Sequence, residues 1–377
     1  MKFDLSPTYQ KLVGNQWILW YAKSNKYSVV TKEFKTILES YFESDSLLDF
    51  HFKLGITNTA SESDVSQNIL SYLKRCNSIE KQEVLANIKF SNTKRNIVKQ
   101  YSFDKTKIKI YYDSELALKI IHPAIAYLET KVDAKNNSIF DIFLENDNWL
   151  IYKEEHLITV AAKKDYHLIQ GKFIMHLLCT IHNKKESDWI ATFHGSTITD
   201  FTNSILFVGK SGQGKSTLCS LLAANGFKLV ADDISPMLSK NNHIYSNPLA
   251  ISIKEGAFDI LRPIIKNFDN LPTTYLNKLK GPIKYVPNKN WQVNNYPCKA
   301  IVMVNYKKGS DITLENISIK KLLETVIPDS WLSPNQKHTK QFLDWLESIK
   351  IYKMTYSNTP DAIECTKQLF IQLSKNK

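Results

Sequence analysis

Residues 205–216 read Ile-Leu-Phe-Val-Gly-Lys-Ser-Gly-Gln-Gly-Lys-Ser, an apolar run opening into the complete pattern Gly-x-x-x-x-Gly-Lys-Ser from Gly209 to Ser216. A short apolar run ended by glycine reads as a buried strand, and 217–224, apolar and helix-compatible, reads as a helix that follows at once. In that setting backbone N–H groups of the loop converge on phosphate oxygens. Gly209, Gly212 and Gly214 keep side chains out of the approach and tolerate the dihedrals it needs. The helix start adds its dipole and its unpaired amides to the attraction for an anion. Lys210, Ser211, Gln213 and Thr217 complete the loop; Lys215 is placed to reach the β- and γ-phosphates and Ser216 to ligate Mg²⁺. The expected ligand is therefore ATP or a related nucleoside triphosphate with Mg²⁺, and the motif does not choose between ATP and GTP. The bland alternative is a glycine-rich turn between a core strand and a core helix.

The next segment narrows the chemistry. Asn225-Gly226 is a helix stop, and 227–231 (Phe-Lys-Leu-Val-Ala) reads as a strand that delivers Asp232 and Asp233 at its end. Beside a phosphate loop, one carboxylate holds Mg²⁺ and a second can accept a proton from an attacking hydroxyl. The alternative is that Asp-Asp only opens a turn before Ser235-Pro236.

These stretches, Gly209 to Ser216 and Gly226 to Asp233, together with His194-Gly195 fifteen residues ahead of Gly209, resemble the HPr kinase/phosphorylase family. The resemblance implies an α/β P-loop domain of HPr kinase-like, phosphoenolpyruvate-carboxykinase-like architecture. It also implies Asp232 as general base towards a serine hydroxyl, Asp233 assisting at the metal, and His194 near the transferred phosphate. Without the family, His194 is a lone histidine in a β-rich stretch, where packing or exposure explains it as well.

The chain departs from the family in two places. Thr217 follows the loop serine where members that phosphorylate HPr have Glu, and no arginine-rich late segment is found; 281–290 offers only Lys284 and Lys289. The chain resembles instead the broader HPr kinase-like proteins found with peptide-modification enzymes, in which segments like 248–261 (Pro-Leu-Ala-Ile-Ser-Ile-Lys-Glu-Gly-Ala-Phe-Asp-Ile-Leu) occur. Lys254 and Arg262 in and beside that segment are a candidate phosphate clamp. Equally, Lys254-Glu255 reads as a solvated pair opening a helix over 255–262.

The first 80 residues have a separate pattern. A strand pair at 16–21 and 26–30 spans an Ala-Lys-Ser-Asn turn, a helix follows at 31–42 with Phe34, Ile37, Leu38 and Tyr41 on one face, and Ser61-Glu-Ser-Asp64 caps a second helix running to Cys76. This resembles the winged-helix-like PqqD peptide-recognition fold, which adds a leader peptide as an extra strand on a sheet edge. The alternative is a winged-helix accessory domain that packs on the kinase or touches DNA. The expected organisation is 1–80 as the peptide-binding domain and 81–377 as the kinase domain, with 81–185 a leading layer and 186–377 the nucleotide-binding core. Strands are expected at 107–112, 149–152, 157–162 and 300–306. Helices are expected at 115–128, 172–182, 319–326, 335–349 and 360–374, with Asn-rich turns at 136–137 and 146–148.

Composition fits a cytoplasmic enzyme of more than one domain: 377 residues, 43% apolar, are enough for sizeable cores. No run approaches the roughly 18 apolar residues of a membrane span, and the N-terminus has no apolar signal core. Five cysteines without metal-ligand spacing are expected to be reduced and mostly buried. A net charge of +12 suits an anionic partner or merely scattered surface lysines. Basic clusters at 94–95 and 105–109 interleave with aromatics as an ordinary half-exposed strand does, so nucleic acid is not the expected partner.

The function expected is transfer of the γ-phosphate of ATP to a serine or threonine hydroxyl of a ribosomally made precursor peptide or small protein held by the N-terminal domain. A homo-oligomer is compatible with the family. The rival readings are a nucleotide-responsive scaffold without phosphotransfer, which Thr217 favours, and a DNA-binding winged-helix regulator.

Overall fold

The structure, a computed structural model, describes residues 3–56, 59–79, 88–131, 138–275 and 281–375. The chain divides into two compact units, one made of Met1–Glu83 with Asn316–Ile351, the other of Val84–Glu315 with Tyr352–Lys377. The expected cut near residue 80 falls outside the described residues. The expectation of one continuous domain over 81–377 is corrected, because Asn316–Ile351 returns to the N-terminal unit.

In that unit the strands Tyr9–Val13, Gln16–Tyr21 and Lys26–Val30 form an antiparallel sheet with Gln16–Tyr21 at its centre. The helices Lys32–Glu43, Leu47–Lys53 and Thr59–Asn77 follow. Thr31 caps the first of them, its hydroxyl accepting from the Phe34 amide. Leu38, Tyr41, Phe50, Ile69 and Leu73 meet Leu19, Tyr21 and Val30 in one core. The strand pair and both expected helices are present; the strand Tyr9–Val13 and the helix Leu47–Lys53 were not anticipated. The side chains of the expected cap at Ser61 lie outside the described residues. The returning segment supplies the helix Gln336–Ser348, which packs on Tyr9–Val13. There Lys11 pairs with Asp344 and Glu347, and the Tyr27 hydroxyl meets Thr339 Oγ1 at 3.2 Å.

The other unit begins with a five-stranded sheet in the order Ile97–Phe103, Thr106–Tyr112, Ser138–Glu145, Asn148–Lys153, His156–Ala162. Its one parallel pair, Thr106–Tyr112 with Ser138–Glu145, is bridged by the helix Glu115–Ile125. The helix Tyr166–Ile181 packs on the last two strands and starts earlier than expected at 172. The Asn-rich turn expected at 136–137 lies outside the described residues.

The sheet that carries the site runs in the order Lys228–Ala231, Ser196–Thr199, Ser204–Val208, Asn295–Tyr306, His243–Tyr245, Ile234–Leu238, Trp189–His194. The strand Lys350–Tyr356 adds to the far edge of Asn295–Tyr306. Every residue of Ser204–Val208 is buried, as its unbroken apolar run requires of a strand covered on both faces. The helix Lys215–Ala224 inserts Leu218, Cys219, Leu221 and Leu222 into a core shared with Ile205, Phe207, Ala300, Val302 and Val304. Leu369, Phe370 and Leu373 of the helix Thr359–Lys375 close that core from outside. Each such leucine contributes about 1.5–3 kcal/mol by burial, so the loop that starts this helix hangs from a fixed frame. The fold is mixed α/β. Among the described residues no helix is long and apolar enough to cross a membrane, and all five cysteines are free, four of them buried.

Candidate functional site

The loop from Gly209 to Gly214 has the backbone its glycines allow. Gly209, Gly212 and Gly214 have φ of 144°, 86° and 90°, the region that side chains disfavour. Space forbids substitution as well: a Cβ on Gly209 would stand 2.9 Å from the Val304 carbonyl oxygen, and one on Gly214 2.7 Å from the Tyr356 hydroxyl. Leu218 N–H donates to the Gly214 carbonyl at 2.8 Å, so the amides of Ser216 and Thr217 ahead of it have no intrahelical acceptor. Lys215 is buried, and its ammonium donates to the Gly209 carbonyl at 2.6 Å and the Lys210 carbonyl at 3.3 Å. The cationic head is thus folded over the cradle itself.

The two aspartates are in different surroundings. Asp232 is fully buried. Its carboxylate accepts from Ser216 Oγ at 3.0 and 3.2 Å, from Ser196 Oγ at 2.5 Å and from the Ser252 amide at 3.2 Å. Burial, with the Asp233 charge adding to it, raises this carboxyl to about 6 against the pull of its three donors. Asp233 is half exposed, sits at φ 65° on the bend into Ile234–Leu238, and places Oδ1 3.4 Å from His194 Nδ1. The antiparallel register that sets Ile234 opposite His194 brings this pair together. Gly195 next to it is required by space, since a Cβ there would meet the Phe207 carbonyl oxygen at 2.6 Å. The chain does bend at Asp232-Asp233, but Ser235-Pro236 continues as strand rather than turn.

Of the candidate clamp residues, Lys254 reaches the loop and Arg262 does not. The Lys254 ammonium donates to Ser211 Oγ at 2.6 Å, placed there by the small antiparallel sheet of Ile251–Lys254, Pro282–Val286 and Thr273–Tyr275. Arg262 instead pairs with Asp259 at 2.6 Å and Asp269 at 2.9 Å, both outside the loop. Lys284 is turned away too, donating to the Asp269 and Leu271 carbonyls, and Lys289 is exposed. Sequence reasoning missed Ser196 and the Ser252 amide. Ser196 stood two residues after His194, but nothing in its neighbours marks a serine as the partner of a distant aspartate.

The structure holds oxygen donors suited to Mg²⁺ at Ser216 and the adjacent carboxylates. No group of three or more His, Cys, Asp or Glu side chains able to hold a metal is found among the described residues.

No family model matches the chain, and no curated protein matches it. Among solved structures, the Hpr(Ser) kinase/phosphatase from Coxiella burnetii aligns with 14% identity and a TM-score of 0.25, over 49% of this chain and 97% of that one. The reading of the site rests on the chain's own residues.

Proposed function

We propose that this protein is a P-loop kinase that transfers the γ-phosphate of a Mg²⁺-bound nucleoside triphosphate to a hydroxyl group. The observation that carries the reading is the convergence on one loop of Lys215, Lys254 and the Ser216–Asp232 contact, with the His194–Asp233 pair beginning at the very next residue after Asp232. A phosphate loop with no acceptor chemistry needs the first three and has no use for the fourth. Lys215 and Lys254 exchange their loop oxygens for phosphate oxygens, and the amides of Ser216 and Thr217 donate to the same anion. Ser216 and Asp232 hold the cation, which when bound draws off charge from the phosphates. Asp233, reachable from solvent and backed by His194, takes the proton of the incoming hydroxyl.

This assignment exchanges the two aspartates relative to the resemblance. The roles expected from sequence, Asp232 as base and Asp233 at the metal, have one observation in their favour: a carboxyl raised to about 6 is matched to proton transfer near neutral pH. The N-terminal unit is proposed to hold the acceptor, a precursor peptide or small protein. Its support is the edge strand Lys26–Val30 and a groove lined by Phe34, Ile37, Val65, Ile69, Tyr72 and Arg75, which suit strand addition with apolar anchoring.

The test is transfer of γ-labelled phosphate from Mg·ATP to short ribosomal peptides encoded beside this gene, with wild type, Asp232→Asn and Asp233→Asn. Label on a peptide with wild type, loss of transfer but unchanged nucleotide affinity in Asp233→Asn, and loss of Mg²⁺-dependent affinity in Asp232→Asn support the reading. Nucleotide binding with no label on any peptide removes the peptide-kinase assignment and leaves the nucleotide-responsive scaffold.

A further inference from the structure

The phosphate end of the site accounts for the loop, the lysines and the carboxylates, but not for two tyrosines on the other side of the loop. The strands Asn295–Tyr306 and Lys350–Tyr356 lie on the side of Ser204–Val208 opposite to Ser196–Thr199 and Lys228–Ala231, and end in Tyr306 and Tyr356. The Tyr306 amide donates to the Gln213 carbonyl at 3.3 Å, and Tyr306 Cβ stands 3.5 Å from the point a Gly214 Cβ would occupy. Tyr306 is 41% exposed, yet its ring is braced edge-on by the Tyr356 ring at 5.6 Å and 73°. A side chain so held at a loop margin is a fixed flat wall facing solvent.

Tyr356 is 2% exposed, and its hydroxyl points at Gly214, 2.7 Å from the position of a Cβ there. The buried Gln213 Oε1 of the adjoining loop residue has no hydrogen-bond partner among the described residues. Buried polar atoms are normally paired, so an unpaired acceptor on the loop, with the Tyr356 hydroxyl aimed at the neighbouring Gly214, points to a ligand that donates to it. A sugar hydroxyl does that, and its oxygen can in turn accept from a tyrosine hydroxyl.

We propose that Tyr306 and Tyr356 form the nucleoside end of this site. The base stacks on the exposed face of Tyr306, while Tyr356 and Gln213 hydrogen-bond the ribose. The inference rests on the phosphate-loop reading above. Because every base has a π-face, stacking of this kind does not separate adenine from guanine.

The experiment measures dissociation constants of Mg·ATP, Mg·GTP and Mg·tripolyphosphate for the full-length wild type, Tyr306→Ala, Tyr306→Phe and Tyr356→Phe, with thermal melts to check folding. Tyr306→Ala is expected to weaken ATP and GTP about tenfold, as loss of one stacked base does, and to leave tripolyphosphate unchanged. Tyr306→Phe is expected to match wild type, and Tyr356→Phe to weaken the nucleotides several-fold with tripolyphosphate again unchanged. Tripolyphosphate and ATP bound equally by wild type overturns the inference and leaves the phosphate loop standing. Equal losses for both ligands in Tyr306→Ala overturn it too, since the loop rather than the base is then affected. Neither ligand bound by wild type overturns the phosphate-loop reading and this inference together.

Discussion

Ser216 Oγ lies 3.0 and 3.2 Å from the two carboxylate oxygens of Asp232, while the Asp233 carboxylate pairs with His194. The contact ties the first turn of the loop helix to the end of the next strand and puts a fully buried carboxylate against the start of that helix. Ser216→Ala removes one donor from that carboxylate and one oxygen from the proposed cation site. Triphosphate affinity measured with Mg²⁺ is expected to fall about tenfold, an effect of the size of one lost charge-assisted hydrogen bond. Affinity measured in EDTA is expected to change little. Equal loss in both conditions would count against a role for Ser216 at the metal.

Asp232 also makes a prediction about stability. Its folded-state value is raised from 3.8 to about 6 by burial, so between those values the native state binds more protons than the unfolded chain. Stability is therefore lost as pH rises through that window, by about 3 kcal/mol from this group. Asp232→Asn, neutral at every pH, is expected to flatten the fall in melting temperature between pH 4 and pH 6 and to melt at or above wild type at pH 7. A steeper fall in the variant contradicts the assignment of that pH dependence to Asp232.

Gly214→Ala meets both obstacles at once, φ of 90° and a Cβ 2.7 Å from the Tyr356 hydroxyl. Backbone strain of this kind costs on the order of 1–3 kcal/mol. Chemical denaturation should register that loss, with triphosphate binding abolished. Adding Tyr356→Phe is expected to recover part of the stability, because the hydroxyl clash is gone while the dihedral remains. No recovery in the double variant means that the clash is relieved by other movement.

Lys254→Met keeps the stem of the side chain and removes the charge that reaches Ser211. Tripolyphosphate and ATP affinities are both expected to fall about tenfold, whereas Arg262→Met, whose partners are Asp259 and Asp269, is expected to leave both unchanged. The reverse pattern in a titration of the two variants would restore Arg262 as the clamp.

Asp233→Asn is expected to lower kcat for phosphoryl transfer by about 10²–10⁴, the range of general-base catalysis, with nucleotide affinity intact. Removing the N-terminal 80 residues is a poor way to test acceptor binding, since Asn316–Ile351 belongs to the same unit and its apolar faces would be left uncovered. Arg75→Glu, a surface change at the groove margin, is the better variant, and is expected to raise KM for a peptide acceptor and leave kcat unchanged.

Local chemistry wrote the loop plainly. The pattern of glycines at 209, 212 and 214 between a five-residue apolar strand and a helix has few other uses, because positive φ and close backbone approach are properties of single positions. Elements that the sequence pattern does not mark, among them Tyr9–Val13, Leu47–Lys53, Ile97–Phe103, Ser138–Glu145 and Lys350–Tyr356, lack that kind of signal. Ile97–Phe103 mixes lysine, glutamine and serine with its apolar residues, and it becomes a strand by pairing along its length with Thr106–Tyr112.

The sequence by itself determined the glycine loop between strand and helix, the arrival of two carboxylates at the end of the following strand, and the histidine and glycine ahead of them. Each follows from residue types a few positions apart. Only the tertiary structure decided which aspartate is buried against Ser216 and which faces solvent beside His194. It alone brought Lys254 rather than Arg262 to the loop, set Tyr306 and Tyr356 at its far margin, and returned Asn316–Ile351 to the N-terminal unit. Those outcomes depend on strand order and register between segments far apart in the chain, and such pairings are fixed by burial of whole faces, which no short stretch of residues encodes.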